Sequence, residues 1–205
     1  MLRKIKTAVM VSGNGSNLQA LIDAKVKGEM DSVELSLVIS SKRNSFALER
    51  AAVNCIPSRV VERKKYLDDI AGFETAILSY LDEYGIELIV LAGFLTVFSK
   101  SFIKRYENRI INVHPALIPS FCGKGYYGIK VHEQVLKYGV KVSGATIHFV
   151  NEEVDGGKII LQKAVEVIED DTPETLQSRI MREAEWVLLP KATELVAKQI
   201  LKGEI

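Results

Sequence analysis

Apolar residues along the chain alternate between two periods, and the alternation is regular. Ile5 to Val11 is β-rich and largely apolar, and the turn Ser12-Gly13-Asn14-Gly15-Ser16-Asn17 follows at once. Leu18, Leu21, Ile22 and Val26 then recur at helical spacing. Val33 to Ile39 reads as a second strand. A helix is predicted from Ser45 to Asn54, with Ser45 as N-cap and Phe46, Leu48, Ala51 and Ala52 as the inner face. Ser58 to Val61 is a short third strand. Leu67, Ile70, Phe73, Ile77, Leu78 and Leu81 predict a helix over Tyr66 to Tyr84, closed by Gly85. Leu88 to Ala92 is a continuous apolar run, which suits a central parallel strand covered on both faces. A short helix at Ser99 to Tyr106 and a strand at Arg109 to Val113 complete the first part.

The second part changes character. Phe121 to Gly128 is rich in glycine and aromatics and reads as a loop. Lys130 to Tyr138 reads as a helix ended by Gly139. Val142 to Val150 reads as a strand, Asn151 to Gly157 as a polar turn, and Lys158 to Val167 as an antiparallel return. Asp171-Thr172-Pro173-Glu174 is a helix start, with Asp171 or Thr172 as cap. One long helix is expected to about Pro190 and a terminal one to about Lys202. Alternating β and α elements predict an α/β fold, a Rossmann-like, doubly wound, mostly parallel sheet. The C-terminal antiparallel strands are expected to extend that sheet within a single domain. The ligand crevice of such a sheet lies beyond the carboxyl ends of its strands. Both the Gly13–Asn17 turn and the Asn112–His114 segment fall there.

Composition narrows the function classes. With 27 basic and 26 acidic residues the net charge is +1, which argues against a nucleic-acid coat or a polybasic membrane anchor. No run approaches the roughly 18 apolar residues of a membrane span. The basic start Met1-Leu2-Arg3-Lys4 precedes an apolar stretch too short for a signal-peptide core. Cys55 and Cys122 match neither a zinc spacing nor a redox motif. A cytoplasmic protein with no nucleic-acid or membrane partner is expected. The three histidines lack metal-ligand spacing, so no metal is expected.

Three segments carry candidate chemistry. Gly13, Asn14, Gly15, Ser16 and Asn17 open a helix, where free N–H groups and partial positive charge suit a phosphate. The segment is a poor dinucleotide fingerprint, because Leu18 stands where a third glycine belongs and Ile39-Ser40-Ser41-Lys42 offers no acidic residue to a ribose. In Asn112-Val113-His114-Pro115, positions i and i+2 of a strand face one side, so amide and imidazole point together into the crevice. An amide stabilises an oxyanion and an imidazole moves protons, a combination suited to acyl transfer. A carboxylate from the Asn151–Gly157 turn can orient the imidazole or a water. His148, between Thr146 and Val150 on its strand face, reads as structural. His132 reads as structural or surface.

Together these segments resemble the phosphoribosylglycinamide formyltransferases, folate-dependent enzymes of purine biosynthesis. The resemblance runs nearly end to end: Ser12 to Ala20, Leu91 to Phe94, Ile111 to Pro119, His148 to Val150, Val154 to Gly157 and Ile160 to Gln162. Asn-x-His-Pro with a later aspartate marks the wider formyltransferase superfamily, and Gly-Asn-Gly-Ser-Asn is more specific to the glycinamide enzymes. The resemblance implies one formyltransferase domain over residues 1–205. Residues 1–113 would form its phosphate-binding half and residues 114–205 its catalytic, folate-binding half. It implies catalytic roles for Asn112, His114 and Asp155, phosphate binding at Gly13 to Asn17, and a ribose contact at Glu185; the mechanism expected of them has Asn112 and a protonated His114 stabilising the oxyanion, with Asp155 favouring the protonated ring. The co-substrate 10-formyltetrahydrofolate would lie against Leu95, Thr96, Val97, Phe98, Asn112, Asn151, Glu152 and Asp155. The acceptor would be glycinamide ribonucleotide and the assembly a monomer or homodimer. Three residues depart from the family pattern: Thr96 and Ile70 stand where arginines for the folate's glutamate tail are usual, leaving Arg63, Lys64 or Lys65 as replacements. Lys130 stands where a family histidine often occurs. Methionyl-tRNA formyltransferases carry a further C-terminal RNA-binding domain, and formyl-folate hydrolases a further N-terminal regulatory one. A hydrolase or a non-catalytic sugar-phosphate-binding module are the alternatives.

Overall fold

A computed structural model describes residues 3–205; Met1 and Leu2 of the basic N-terminal stretch lie outside the described residues. The chain runs β1 (Ile5–Val11), α1 (Ser16–Val26), β2 (Val33–Ser40), α2 (Phe46–Val53), β3 (Ser58–Val60), a 3₁₀ turn (Arg63–Lys65), α3 (Ile70–Glu83), β4 (Leu88–Leu91), α4 (Lys100–Arg105) and β5 (Ile110–His114). It continues as α5 (Ile129–Tyr138), β6 (Val142–Phe149), β7 (Ile159–Glu166), α6 (Pro173–Ile180), a π-helical turn (Met181–Glu185) and α7 (Trp186–Lys202). The strands form one seven-stranded sheet in the order β3-β2-β1-β4-β5-β6-β7. β1 to β5 are parallel, while β6 is antiparallel to β5 and β7 to β6. The order reverses between β1 and β4, and a crevice opens beyond their carboxyl ends at such a switch point.

Period-2 alternation divides the strand residues between two cores. Val9, Val11, Val90 and Ile111 pack with α1, α5, α6 and α7 on one face. Ala8, Met10, Ile89 and Ile110 pack with Phe73, Ile77 and Leu81 of α3 and Phe102 of α4 on the other. Burying one such side chain fully contributes roughly 1.5–3 kcal/mol, which is why central strands read as unbroken apolar runs. A row of rings crosses the second core: Phe73 to Phe94 at 6.4 Å, Phe94 to Phe98 at 5.5 Å and Phe98 to Phe102 at 4.0 Å between centroids. It supports the Leu95–Phe98 segment from beneath.

Three expectations are corrected. α3 begins at Ile70 rather than Tyr66, because the Asp69 carboxylate caps it by accepting from the Gly72 N–H at 2.7 Å. The inner face of α2 is Ala47 and Ala51, with Phe46 and Ala52 exposed, because α2 lies too close to the Gly15 backbone for a larger side chain. The late helix does not break at Pro190, which lies inside α7. The irregularity is the π turn at Met181–Glu185, where the Trp186 N–H reaches the Met181 carbonyl.

Candidate functional site

The site begins with strand pairing. In the antiparallel β5–β6 register Asn112 lies opposite His148 and His114 opposite Thr146. The turn after β6 then folds back sharply. A side chain at Gly157 would place its Cβ 1.7 Å from the Phe149 carbonyl oxygen, so only glycine permits the close return. The return carries Asp155, held in the left-handed region at φ 58°, over the two histidines. Its Oδ2 lies 3.5 Å from His114 Nδ1 and its Oδ1 3.6 Å from His148 Nε2. The Gly123 N–H of the glycine-rich loop donates to Oδ2 at 2.9 Å.

Backbone carbonyls set both histidine tautomers, since a carbonyl only accepts. His148 Nδ1–H donates to the Phe149 carbonyl at 2.8 Å, which leaves Nε2 to accept from the Asn112 amide Nδ2 at 3.2 Å. Asn112 therefore keeps one N–H free. His114 Nε2–H donates to the Phe121 carbonyl at 2.9 Å, so the Nδ1 lone pair faces Asp155. Burial lowers the His114 pKa from its ordinary value, against the pull of Asp155 and the Phe121 carbonyl. This favours the neutral imidazole, whereas the mechanism expected from the sequence uses a protonated one. Burial pushes the Asp155 carboxyl up, but the Gly123 N–H and the two imidazoles, whenever either carries a proton towards it, hold it below its ordinary value.

These groups line a cavity of about 640 Å³, within the range of small-molecule sites. Leu95, Thr96, Val97, Phe98, Asn151 and Glu152 line the same cavity. Glu152 of this wall pairs with Lys100 at the start of α4. The wall also includes Asn17 and Glu185. The Asn17 amide donates to Glu185 Oε2 at 2.6 Å, and burial pushes the Glu185 carboxyl up. Gly13, Asn14, Gly15 and Ser16 do not line this cavity; Ser16 lines a smaller hollow of about 290 Å³ with Arg50 and Trp186. Among the described residues no group of three His, Cys, Asp or Glu is placed to hold a metal ion, and no helix is long and apolar enough to cross a membrane.

The expected trio of Asn112, His114 and Asp155 is thus brought together. His148, read from sequence as structural, belongs beside it. His132 is buried, with no protein partner for either ring nitrogen. The cationic replacements for the tail arginines are not in the cavity wall. Arg63 donates to the Leu67 carbonyl and packs over the Phe73 ring, and Lys64 and Lys65 pair with Glu62.

Comparison with known proteins agrees with this geometry. The formyl transferase family model matches residues 5–193. A phosphoribosylglycinamide formyltransferase of Haemophilus influenzae is 36% identical over 98% of this chain and 89% of its own. The trifunctional purine biosynthetic protein adenosine-3 of Gallus gallus is 44% identical over 95% of this chain. The chain spans only 18% of the length of that relative. Among solved structures, glycinamide ribonucleotide transformylase 1 of Symbiobacterium toebii superimposes with a TM-score of 0.88 at 37% identity, over 95% of this chain and 88% of that one. A match that runs through both the glycine turn and the Asn112–His114–Asp155 cluster leaves one assignment: the chain belongs to the formyl transferase family.

Proposed function

We propose that this chain transfers the formyl group of 10-formyltetrahydrofolate to the primary amine of glycinamide ribonucleotide, a step of purine biosynthesis. One observation carries the reading. An amide, an imidazole and a carboxylate line one cavity together with Asn17 and Glu185, and Asn17 lies on a helix start suited to phosphate. The names of the relatives support the substrate pair.

The lining suits a folate, with the mostly apolar Leu95–Phe98 segment and the polar Asn151–Asp155 turn in one wall. When bound, the folate supplies the formyl carbon. The remaining chemistry falls to this chain's residues. The free N–H of Asn112, aimed by His148, donates to the formyl oxygen as negative charge develops there. Neutral His114 accepts, directly or through a water, the proton the attacking amine must lose. Nδ1 is its open position, because Nε2 is committed to Phe121. The imidazolium so formed lies 3.5 Å from the Asp155 carboxylate, which offsets its charge until the proton passes to the departing folate nitrogen. Glu185 and Asn17 hold the ribose, and the Gly13–Asn17 turn the phosphate. The proposed compartment is the cytoplasm, where free thiols such as Cys55 and Cys122 stay reduced.

Asn112→Ala tests the reading. It removes a donor to a developing oxyanion, so kcat is expected to fall by about 10²–10³ with the melting temperature unchanged. Near-normal turnover in a folded Asn112→Ala protein contradicts the mechanism.

A further inference from the structure

The Gly13–Asn17 turn does not stand alone; α2 holds it from behind. The Gly13 carbonyl accepts from Ser45 Oγ at 2.6 Å and from the Ala47 N–H at 3.3 Å. The Asn14 carbonyl accepts from Arg50 Nε at 3.0 Å, and the Asn14 side-chain oxygen from Arg50 Nη2 at 3.4 Å. Arg50 Nη1 also donates at 3.0 Å to Gln19 Oε1, and Gln19 is itself held by its Nε2 bond to Asp23 Oδ1 at 2.8 Å. The Phe46 ring lies under the guanidinium, 4.8 Å from its carbon. Gly15, at φ 74°, seats against Ala47, where any Cβ would fall 2.5 Å from the alanine methyl.

Peptide geometry gives this strut a consequence. In a planar trans peptide the C=O and the following N–H point in opposite directions. Binding the Gly13 and Asn14 carbonyls to α2 therefore aims the Asn14 and Gly15 N–H groups away from α2. Among the described residues neither N–H meets a protein acceptor. We propose that Arg50, acting through Asn14 and Gln19 and assisted by Ser45, is the positioning residue that presets this turn for the substrate's phosphate, and so sets the preference for a phosphorylated amine. The inference rests on the phosphate reading of the turn and adds what makes the turn competent. The guanidinium fork is essential to it, because one planar group reaches a carbonyl, a side-chain amide oxygen and the neighbouring helix at once.

The test is steady-state kinetics of the full chain with 10-formyltetrahydrofolate saturating, using glycinamide ribonucleotide and its phosphate-free riboside. Losing charge-assisted bonds of this kind in Arg50→Met is expected to raise KM for the ribonucleotide about tenfold. In the same variant kcat stays within about threefold of wild type, and KM for the riboside and the folate is unmoved. Arg50→Lys keeps the charge without the fork and is expected to remain about fivefold impaired in KM. Full recovery by lysine overturns the positioning role in favour of charge alone. An equal effect of Arg50→Met on ribonucleotide and riboside, or no effect on either, also overturns it. If wild type itself does not distinguish ribonucleotide from riboside, the phosphate reading of the turn fails, and the inference with it. Should Arg50→Met not fold, Ser45→Ala decides: a rise in ribonucleotide KM alone, about threefold for one lost neutral bond, supports the strut. An unchanged KM refutes it.

Discussion

His114 carries an acceptor against one ring nitrogen and a carboxylate near the other, and burial decides its resting state. Because burial lowers its pKa, the ring is neutral at neutral pH and has a lone pair available. A ¹⁵N or ¹H NMR titration of the substrate-free protein is expected to place the His114 midpoint below the ordinary value of about 6.5. Asp155→Asn removes the group that favours the charged ring and is expected to move that midpoint lower still. A midpoint above the ordinary value would restore a protonated histidine at rest. Asn112 and His114 are legible at this scale, since two residues apart on a strand they share a face. His148 is not. A lone histidine in an alternating strand carries no mark of its partner, and only the β5–β6 register, formed by residues 36 positions apart, puts it on Asn112.

At the scale of elements, most of the strand–helix alternation was readable because the two periods differ so plainly. The places where reading failed have physical causes. The inner face of α2 is set by the backbone of Gly15, far off in sequence, and not by its own apolar residues. The π turn at Met181–Glu185 has no local cue, while Pro190, a strong cue, is accommodated inside α7. That turn matters to the site, since π turns re-aim side chains and this one ends on Glu185 in the cavity wall. The Asn151–Gly157 turn is the second element the site depends on. Gly157→Ala forces the Phe149 carbonyl aside and moves Asp155 with it. Its expected effect is a loss in kcat of about 10²-fold, approaching that of Asp155→Ala, with KM for the ribonucleotide little changed. A Gly157→Ala enzyme of normal kcat would show that the tight return is not what places Asp155.

The whole molecule is one sheet with a core on each face and the site at the edge of both, so protonation inside it bears on stability. Burial, with His114 adding to it, pushes the His132 pKa down to about 4. The direction follows from linkage. The unfolded chain takes up a proton near pH 6.5 that the fold resists until about pH 4, so this stability is complete above 6.5 and disappears as pH falls through that window. The shift corresponds to about 3 kcal/mol. Urea unfolding of wild type and His132→Leu at pH 7.5 and pH 4 checks it. The wild type is expected to lose about 3 kcal/mol more between the two pH values than the variant. Parallel losses would mean that His132 titrates normally.

The central claim concerns where the formyl group goes. Single-turnover mixing of the protein with 10-formyltetrahydrofolate labelled in the formyl carbon, with and without glycinamide ribonucleotide, reads it directly. Label is expected in formylglycinamide ribonucleotide only when the ribonucleotide is present, with none released as formate. Label appearing as free formate, or remaining on a folate that binds without reacting, would contradict the account.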